Sequence, residues 1–215
     1  MSILSGRVIA GQHVCVDADR VRALRELLDN TGLVARTRDF AGSLRRSTRQ
    51  PGDLLLVGTP DDEPWHLAAH LDDESRLAGV PELSPTLVRH APPPDAPPHL
   101  SIGLQRIEEA RRGETLFVVA PHESPEQLLE RVADARRSGA TILAMDGGDD
   151  DLASLAHDRL VVVEHELVVP SGVDVDFDTV QHLVSVAAGE SVTRVSVRDK
   201  LSRFLERVSG PAPQR

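Results

Sequence analysis

Thr115-Leu-Phe-Val-Val-Ala-Pro-His-Glu-Ser-Pro-Glu126 and the residues that follow it decide the fold. The run from Thr115 to Ala120 is continuously apolar after its first residue, the pattern of a strand covered on both faces. Ser124, Pro125 and Gln127 then read as the N-cap, first-turn proline and capping box of a helix. Its buried stripe is Leu128, Leu129, Val132 and Ala135, and Gly139 ends it. Thr141-Ile-Leu-Ala-Met145 is the next strand, and the acidic turn Asp146-Gly-Gly-Asp-Asp-Asp151 leads into a short helix about Leu152 and Leu155. Leu160-Val-Val-Val-Glu164 is the strand after that. Strand and helix alternating in this rhythm imply right-handed crossovers and a parallel sheet. The fold class is therefore α/β, a three-layer sandwich with a mainly parallel sheet between helices.

Upstream, Asp53-Leu-Leu-Leu-Val-Gly-Thr-Pro60 is another short apolar run bounded by turn residues, again a doubly buried strand. A helix using Trp65, Leu67, Ala68 and Leu71 follows and ends at Gly79. Thr86 to His90 has room for a short strand. Residues 91–98 form a proline-rich loop, because prolines remove backbone donors and forbid helix. A helix is expected through Ile102 and Ile107 to Gly113, and another over Phe177 to Ala188.

The ends are organised differently. Val21, Leu24, Leu27 and Leu28 make one face of an amphipathic helix over residues 18–30. Arg36 to Gln50 is polar and basic, fitting either a short solvated helix or a loop. Val197, Leu201, Phe204, Leu205 and Val208 form a stripe on a C-terminal helix that Ser196 would cap, with a fraying tail beyond. The organisation expected is an N-terminal helical segment (1–50), an α/β domain (51–190) and a C-terminal amphipathic helix with its tail (191–215).

Composition narrows the function. The chain has 215 residues, 40% hydrophobic and 27% charged, with a formal net charge of −10. Residues 1–50 carry nine Arg against five Asp plus Glu, or +4, which leaves −14 on the remainder. Four Phe and one Trp offer little surface for stacking bases, and the net charge repels phosphate backbones, so nucleic acid is not an expected partner. With no run of eighteen apolar residues and no basic flank followed by an apolar stretch at the N-terminus, neither a membrane nor an export signal is expected. The cytoplasm is the expected compartment. Cys15 is the one cysteine, which excludes a disulfide framework and a thiolate zinc site; no metal or cofactor is expected.

Several clusters have the residue types of a site. On a strand, Glu164 and Glu166 would share one face while His165 takes the other, a set with the residue types of a base or of metal ligands. The Asp146–Asp151 turn lacks the alternating spacing and closing glutamate of a calcium loop and reads as a solvated turn capping the next helix. His13 and Cys15 lie two apart on an extended segment, where a buried small cysteine is the simpler reading. His66 and His70 have the i,i+4 spacing of a metal pair but no third ligand.

The order of elements from residue 50 to about 190, and Glu114 to Glu164 above all, resembles the sugar isomerase (SIS) domain, the module that holds phosphosugars in aminotransferase, isomerase and regulator families. The resemblance implies that the loops after the first and third strands hold a phosphate and that a glutamate farther along shuttles a proton. The family's first loop, Gly-x-Gly-Ser/Thr-Ser, corresponds to Gly58-Thr-Pro-Asp-Asp-Glu63, with Gly58 and Thr59 left as ligand candidates. Its second, Ser-x-Ser-Gly-Glu-Thr, leaves Val119 and Pro121 where serines belong, His122 at the glycine and Ser124 as the retained hydroxyl. The resemblance makes Glu164 and Glu166 the candidate catalytic carboxylates, with Asp174 nearby. Ser124 either caps its own helix or holds phosphate at the helix N-terminus. Packing residues are kept while the polar loops lose hydroxyls and gain carboxylates. The expectation is thus a non-catalytic or regulatory SIS-like protein that binds a phosphosugar or its relative, paired as a homodimer as the family commonly is. Whether it is an enzyme stays open. The alternatives are an active phosphosugar isomerase and a ligand-free interaction module using the proline-rich loop and the C-terminal stripe.

Overall fold

The computed structural model describes residues 32–163 and 176–190. Five strands, β1 (Leu54–Val57), β2 (Thr86–Val88), β3 (Thr115–Ala120), β4 (Thr141–Asp146) and β5 (Asp158–Val161), form one sheet in the order β2-β1-β3-β4-β5. Every pairing is parallel, with Leu56 opposite Phe117 and Phe117 opposite Leu143. Side chains alternate along a strand, so each strand feeds two cores. Leu54, Leu56, Phe117, Val119, Leu143 and Met145 point to one layer, and Leu55, Val57, Leu116, Val118, Ile142 and Ala144 to the other.

The first layer holds α1 (Leu33–Ser47), α2 (Trp65–Ala78) and α6 (Phe177–Gly189). The second holds α3 (Gln105–Glu108), α4 (Glu126–Arg137) and α5 (Asp150–Leu155). This is the α/β three-layer sandwich that the apolar runs imply. Fully burying one leucine contributes about 1.5–3 kcal/mol, so strands this apolar are stable only with both faces covered.

Residues 36–50, expected to be a solvated helix or a loop, are mostly helix, because α1 begins earlier than their own composition suggests. Gly32 takes a left-handed conformation (φ 65°) and turns the chain into the helix at Leu33. Leu33, Thr37, Phe40, Ala41 and Leu44 then make a buried stripe, and the Phe40 ring meets Phe117 at 5.4 Å between centroids. Arg45 reaches across to α6 and donates to the carbonyls of Ala187 (3.1 Å), Ala188 (3.4 Å) and Glu190. A guanidinium there satisfies orphan carbonyls and suits the negative end of the α6 dipole.

Three local expectations are corrected. The helix expected from Ile102 to Gly113 shrinks to the single turn of α3, because Arg89 N–H donates to Ile102 O (2.8 Å) and Gly103 bridges to Arg89, holding 102–103 extended beside β2. The last strand starts at Asp158 rather than Leu160, since its register pairs Asp158 with Leu143. Ser124 is not the N-cap of α4: Pro125 occupies that position, its carbonyl accepts from Leu128 (2.9 Å) and Leu129 (3.1 Å), and no side chain caps the helix. The acidic turn does cap the next helix, as Asp149 Oδ1 accepts from Leu152 N–H at 3.0 Å. The helix expected at 18–30, the Glu164-His165-Glu166 cluster, Asp174, the His13/Cys15 pair and the C-terminal stripe lie outside the described residues.

Candidate functional site

The strand order fixes where a ligand would sit. From β1 the chain crosses to β2 on one side, and β3 returns to the other side of β1, so the loops leaving β1 and β3 diverge. A crevice at the carboxyl ends of the strands, at such a reversal, is where open α/β sheets bind ligands. A cavity of about 650 Å³ lies there, within the size range of small-molecule sites. Its walls are the β1 loop (Pro60 to His66), the β3 end (Val119, Pro121, His122) and the first turns of α6 (Asp176, Phe177, Asp178, Gln181).

The β1 loop is held tight. A Cβ on Gly58 would stand 2.0 Å from Asp62 O and 2.7 Å from Pro64 Cδ, so only glycine lets the chain turn back on itself at that point. Thr59 is buried and its Oγ1 donates to Asp62 Oδ2 at 3.3 Å, which commits the loop's one hydroxyl. Glu63 is anchored from three sides. Its carboxylate accepts from Arg89 Nε (3.0 Å), His90 N–H (3.1 Å) and the Trp65 indole (3.1 Å), and Arg89 Nη2 completes an ion pair at 3.0 Å. The Arg89 guanidinium also lies 4.4 Å from the Trp65 ring centroid, and the His90 Nε2 is 2.8 Å from Gly58 O. An arginine stacked on an aromatic face while forking a carboxylate uses all of its planar chemistry at once.

The β3 loop is set by Asp149. Although burial opposes ionisation of its carboxyl, hydrogen bonds led by the Leu152 amide, together with those from Ser124, hold its pKa below the ordinary value. Ser124 N–H donates to Asp149 Oδ2 at 2.8 Å, while the buried Ser124 hydroxyl approaches the carboxylate without regular hydrogen-bond geometry. Beneath this, Asp146, wholly buried at the end of β4, accepts from the N–H groups of Gly148 (2.8 Å) and Asp149 (2.9 Å) and from Arg159 Nε (2.7 Å) and Nη2 (2.6 Å). Both oxygens are therefore satisfied, as a buried charge requires.

At the third wall Asp176 caps α6, accepting from Thr179 N–H at 2.8 Å. Asp178 Oδ1 accepts from Gln181 Nε2 at 2.8 Å. Gln181 is only 6% exposed, and its Oε1 has no hydrogen-bond donor among the described residues. The positive end of α6, which would otherwise attract a ligand anion, is thus already supplied with the chain's own carboxylates.

Of the residues singled out in the sequence, the structure places His122 on the cavity wall, Gly58 and Thr59 in the loop that builds another wall, and Ser124 behind it against Asp149. Glu164 and Glu166 lie outside the described residues. His66 and His70 part company. His66 lines the cavity, whereas the His70 ring meets His182 edge-on at 4.5 Å between the helices α2 and α6. Among the described residues no group of three His, Cys, Asp or Glu side chains is arranged to hold a metal ion, and no helix is long and apolar enough to cross a membrane. Sequence reading missed the α6 wall. Asp176 was legible only as a capping residue ahead of a helix, and nothing local told that Asp178 and Gln181 would face the crevice.

No family model and no curated protein matches the sequence. Solved structures do match. A protein described as sugar binding from Salmonella typhimurium LT2 aligns at a TM-score of 0.52 and 14% identity, covering 88% of this chain and 52% of that one. A protein described as a phosphosugar isomerase from Silicibacter pomeroyi DSS-3 aligns at 0.50 and 14%, covering 87% and 52%. The sugar isomerase domain of an RpiR transcription factor from Sphaerobacter thermophilus aligns at 0.50 and 13%, covering 87% and 90%. The chain therefore carries an SIS-like fold, and it spans about half the length of the first two proteins (52% each).

Proposed function

We propose that this chain is a non-catalytic, regulatory SIS-like protein that binds a carbohydrate derivative in the cavity at the β1/β3 reversal. The observation that carries the reading is the composition of the wall. Among the described residues no Ser, Thr, Lys or Arg lines it, and Thr59, the one hydroxyl of the β1 loop, is spent on Asp62. A fold that binds sugar phosphates through hydroxyls and helix-end amides has here kept its crevice and replaced its donors with carboxylates; fold and site chemistry vary independently. His122 contacts the ligand, while Gly58, Thr59 and Ser124 shape the two loops around it. The protein acts in the cytoplasm as a homodimer, an assembly that light scattering of the full chain checks directly.

The test is a thermal-shift titration with hexoses, hexosamines and their 6-phosphates, paired with proton NMR of each sugar in deuterated buffer. Bound ligand at one hundred times its dissociation constant stabilises by about 2.7 kcal/mol, enough to raise the melting temperature visibly. The expected result is a shift with at least one sugar and no exchange of its C2 proton. Exchange at C2 would replace this reading with an active isomerase using Glu164 or Glu166 as base. No shift with any sugar would leave the interaction module.

A further inference from the structure

Resting on that reading, the electrostatics of the cavity specify what kind of sugar derivative it takes. Asp61, Asp62, Glu63, Asp176 and Asp178 all line it, and among the described residues only Glu63 is neutralised, by Arg89. Among the described residues, the imidazoles of His66 and His122 are the nearest approach to a cation on the wall. Low-dielectric walls of one sign focus their field into a cleft, so this cavity disfavours a phosphate ester and concentrates cations. A bare metal ion does not fit the arrangement, because no three ligating groups converge among the described residues.

A second feature points to an organic ligand with hydrogen-bond donors. The Gln181 amide is oriented by Asp178, since a carboxylate accepts only from the NH2 end; the carbonyl end is therefore Oε1, on a residue that lines the cavity. That oxygen is shielded from water and has no donor among the described residues, and a buried acceptor without a donor is costly. A ligand donor would satisfy it, with a small turn of the side chain as the ligand enters. We propose that the cavity binds an amine-bearing polyol, a free amino sugar in protonated form, and rejects the corresponding phosphosugar. The ammonium is held in the field of Asp61 and Asp178, and a hydroxyl or N–H donates to Gln181.

Calorimetric titration of the full chain with glucosamine, glucose and glucose 6-phosphate tests this. Glucosamine is expected to bind most tightly, with affinity falling as ionic strength rises, and glucose 6-phosphate not to bind. Asp178→Asn and Gln181→Leu should each weaken glucosamine roughly tenfold, a loss of about one hydrogen-bonded contact; Asp61→Asn, at an exposed position, should do the same without touching the fold. Tighter binding of glucose 6-phosphate than of glucosamine would overturn the cationic ligand and leave the proposed function standing. Glucosamine binding that none of the three substitutions weakens would overturn the site. Silence from all three sugars would overturn the amino-sugar site, while the proposed function is decided by the wider titration with hexoses, hexosamines and their 6-phosphates.

Discussion

Arg89 Nη2 lies 3.0 Å from Glu63 Oε2, with the same guanidinium 4.4 Å from the Trp65 ring centroid, so one arginine fixes both the acid and the aromatic of the cavity wall. The side chains of Arg89 and Glu63 are 16% and 14% exposed, which puts the pair between surface and core. Removing one partner strands the other. Arg89→Met is expected to cost about 2–4 kcal/mol, and Glu63→Gln less, because an amide oxygen in the place of Oε2 still accepts from Arg89 and Trp65 and only the bond from His90 N–H is lost. The double variant should be more stable than Arg89→Met alone, a non-additivity that urea unfolding of the four proteins measures. Additive losses would show the pair is screened like an ordinary surface bridge.

The turn at Gly58 allows a sharper expectation. A methyl group there would meet the Asp62 carbonyl, a backbone atom that cannot swing aside. Gly58→Ala should destabilise the chain by about 1–3 kcal/mol through overpacking, and it should also reshape the cavity by pushing residues 60–64 outward. Thermal unfolding together with loss of ligand response checks both consequences.

These two sites show what the sequence could and could not disclose. β3, β4, α2 and α6 were legible because each is specified by its own apolar run or stripe and its own punctuation, such as Gly79 after α2. α1 was half legible: its last turn is basic, and Leu33, Phe40 and Leu44 read as a stripe only once the helix is started after Gly32. The α3 region failed for the opposite reason, since Ile102 and Gly103 follow their neighbour β2 rather than their local helical pattern. Near the crevice, the positions of Gly58, Thr59 and His122 were legible because a loop leaving a parallel strand announces its place. Arg89, Asp178 and Gln181 were not, because they come from distant segments and only the strand order brings them to one crevice.

The contrast between Ser124 and Asp149 can be measured. With Pro125 as the N-cap, the Ser124 hydroxyl makes no cap bond, so Ser124→Ala should change stability by no more than about 0.5 kcal/mol. Asp149 caps α5 and also holds Ser124 N–H, so Asp149→Ala should cost about 1–2 kcal/mol or more. Because the Asp149 carboxyl is held below its ordinary pKa, its stabilisation is present above the unfolded value and is lost as pH falls through the folded one. Denaturant midpoints of the two variants at neutral and acidic pH decide the matter. A large loss for Ser124→Ala would restore the serine as a structural cap.

The last expectation concerns His182, which burial, helped by the neighbouring His70, brings down from 6.5 to about 4. The shift disfavours the charged imidazole in the folded chain, so between these values the unfolded state binds more protons than the native one. Stability must then rise with pH across that window: it is complete above 6.5, falls as pH drops toward 4, and levels off below. Solvent reaching the partly buried pair limits the effect, which we expect to be roughly 2 kcal/mol between the two ends. His182→Gln keeps a polar side chain of similar reach and removes the titration. Urea unfolding of the parent and this variant across the window should show the parent losing stability on acidification and the variant losing less, by the amount His182 contributes. His70→Ala should narrow the parent's window by removing the second charge that opposes protonation. Parallel pH profiles for parent and His182→Gln would mean that the ring is protonated in the folded chain as readily as in the unfolded one, and that the α2–α6 seam is open to water.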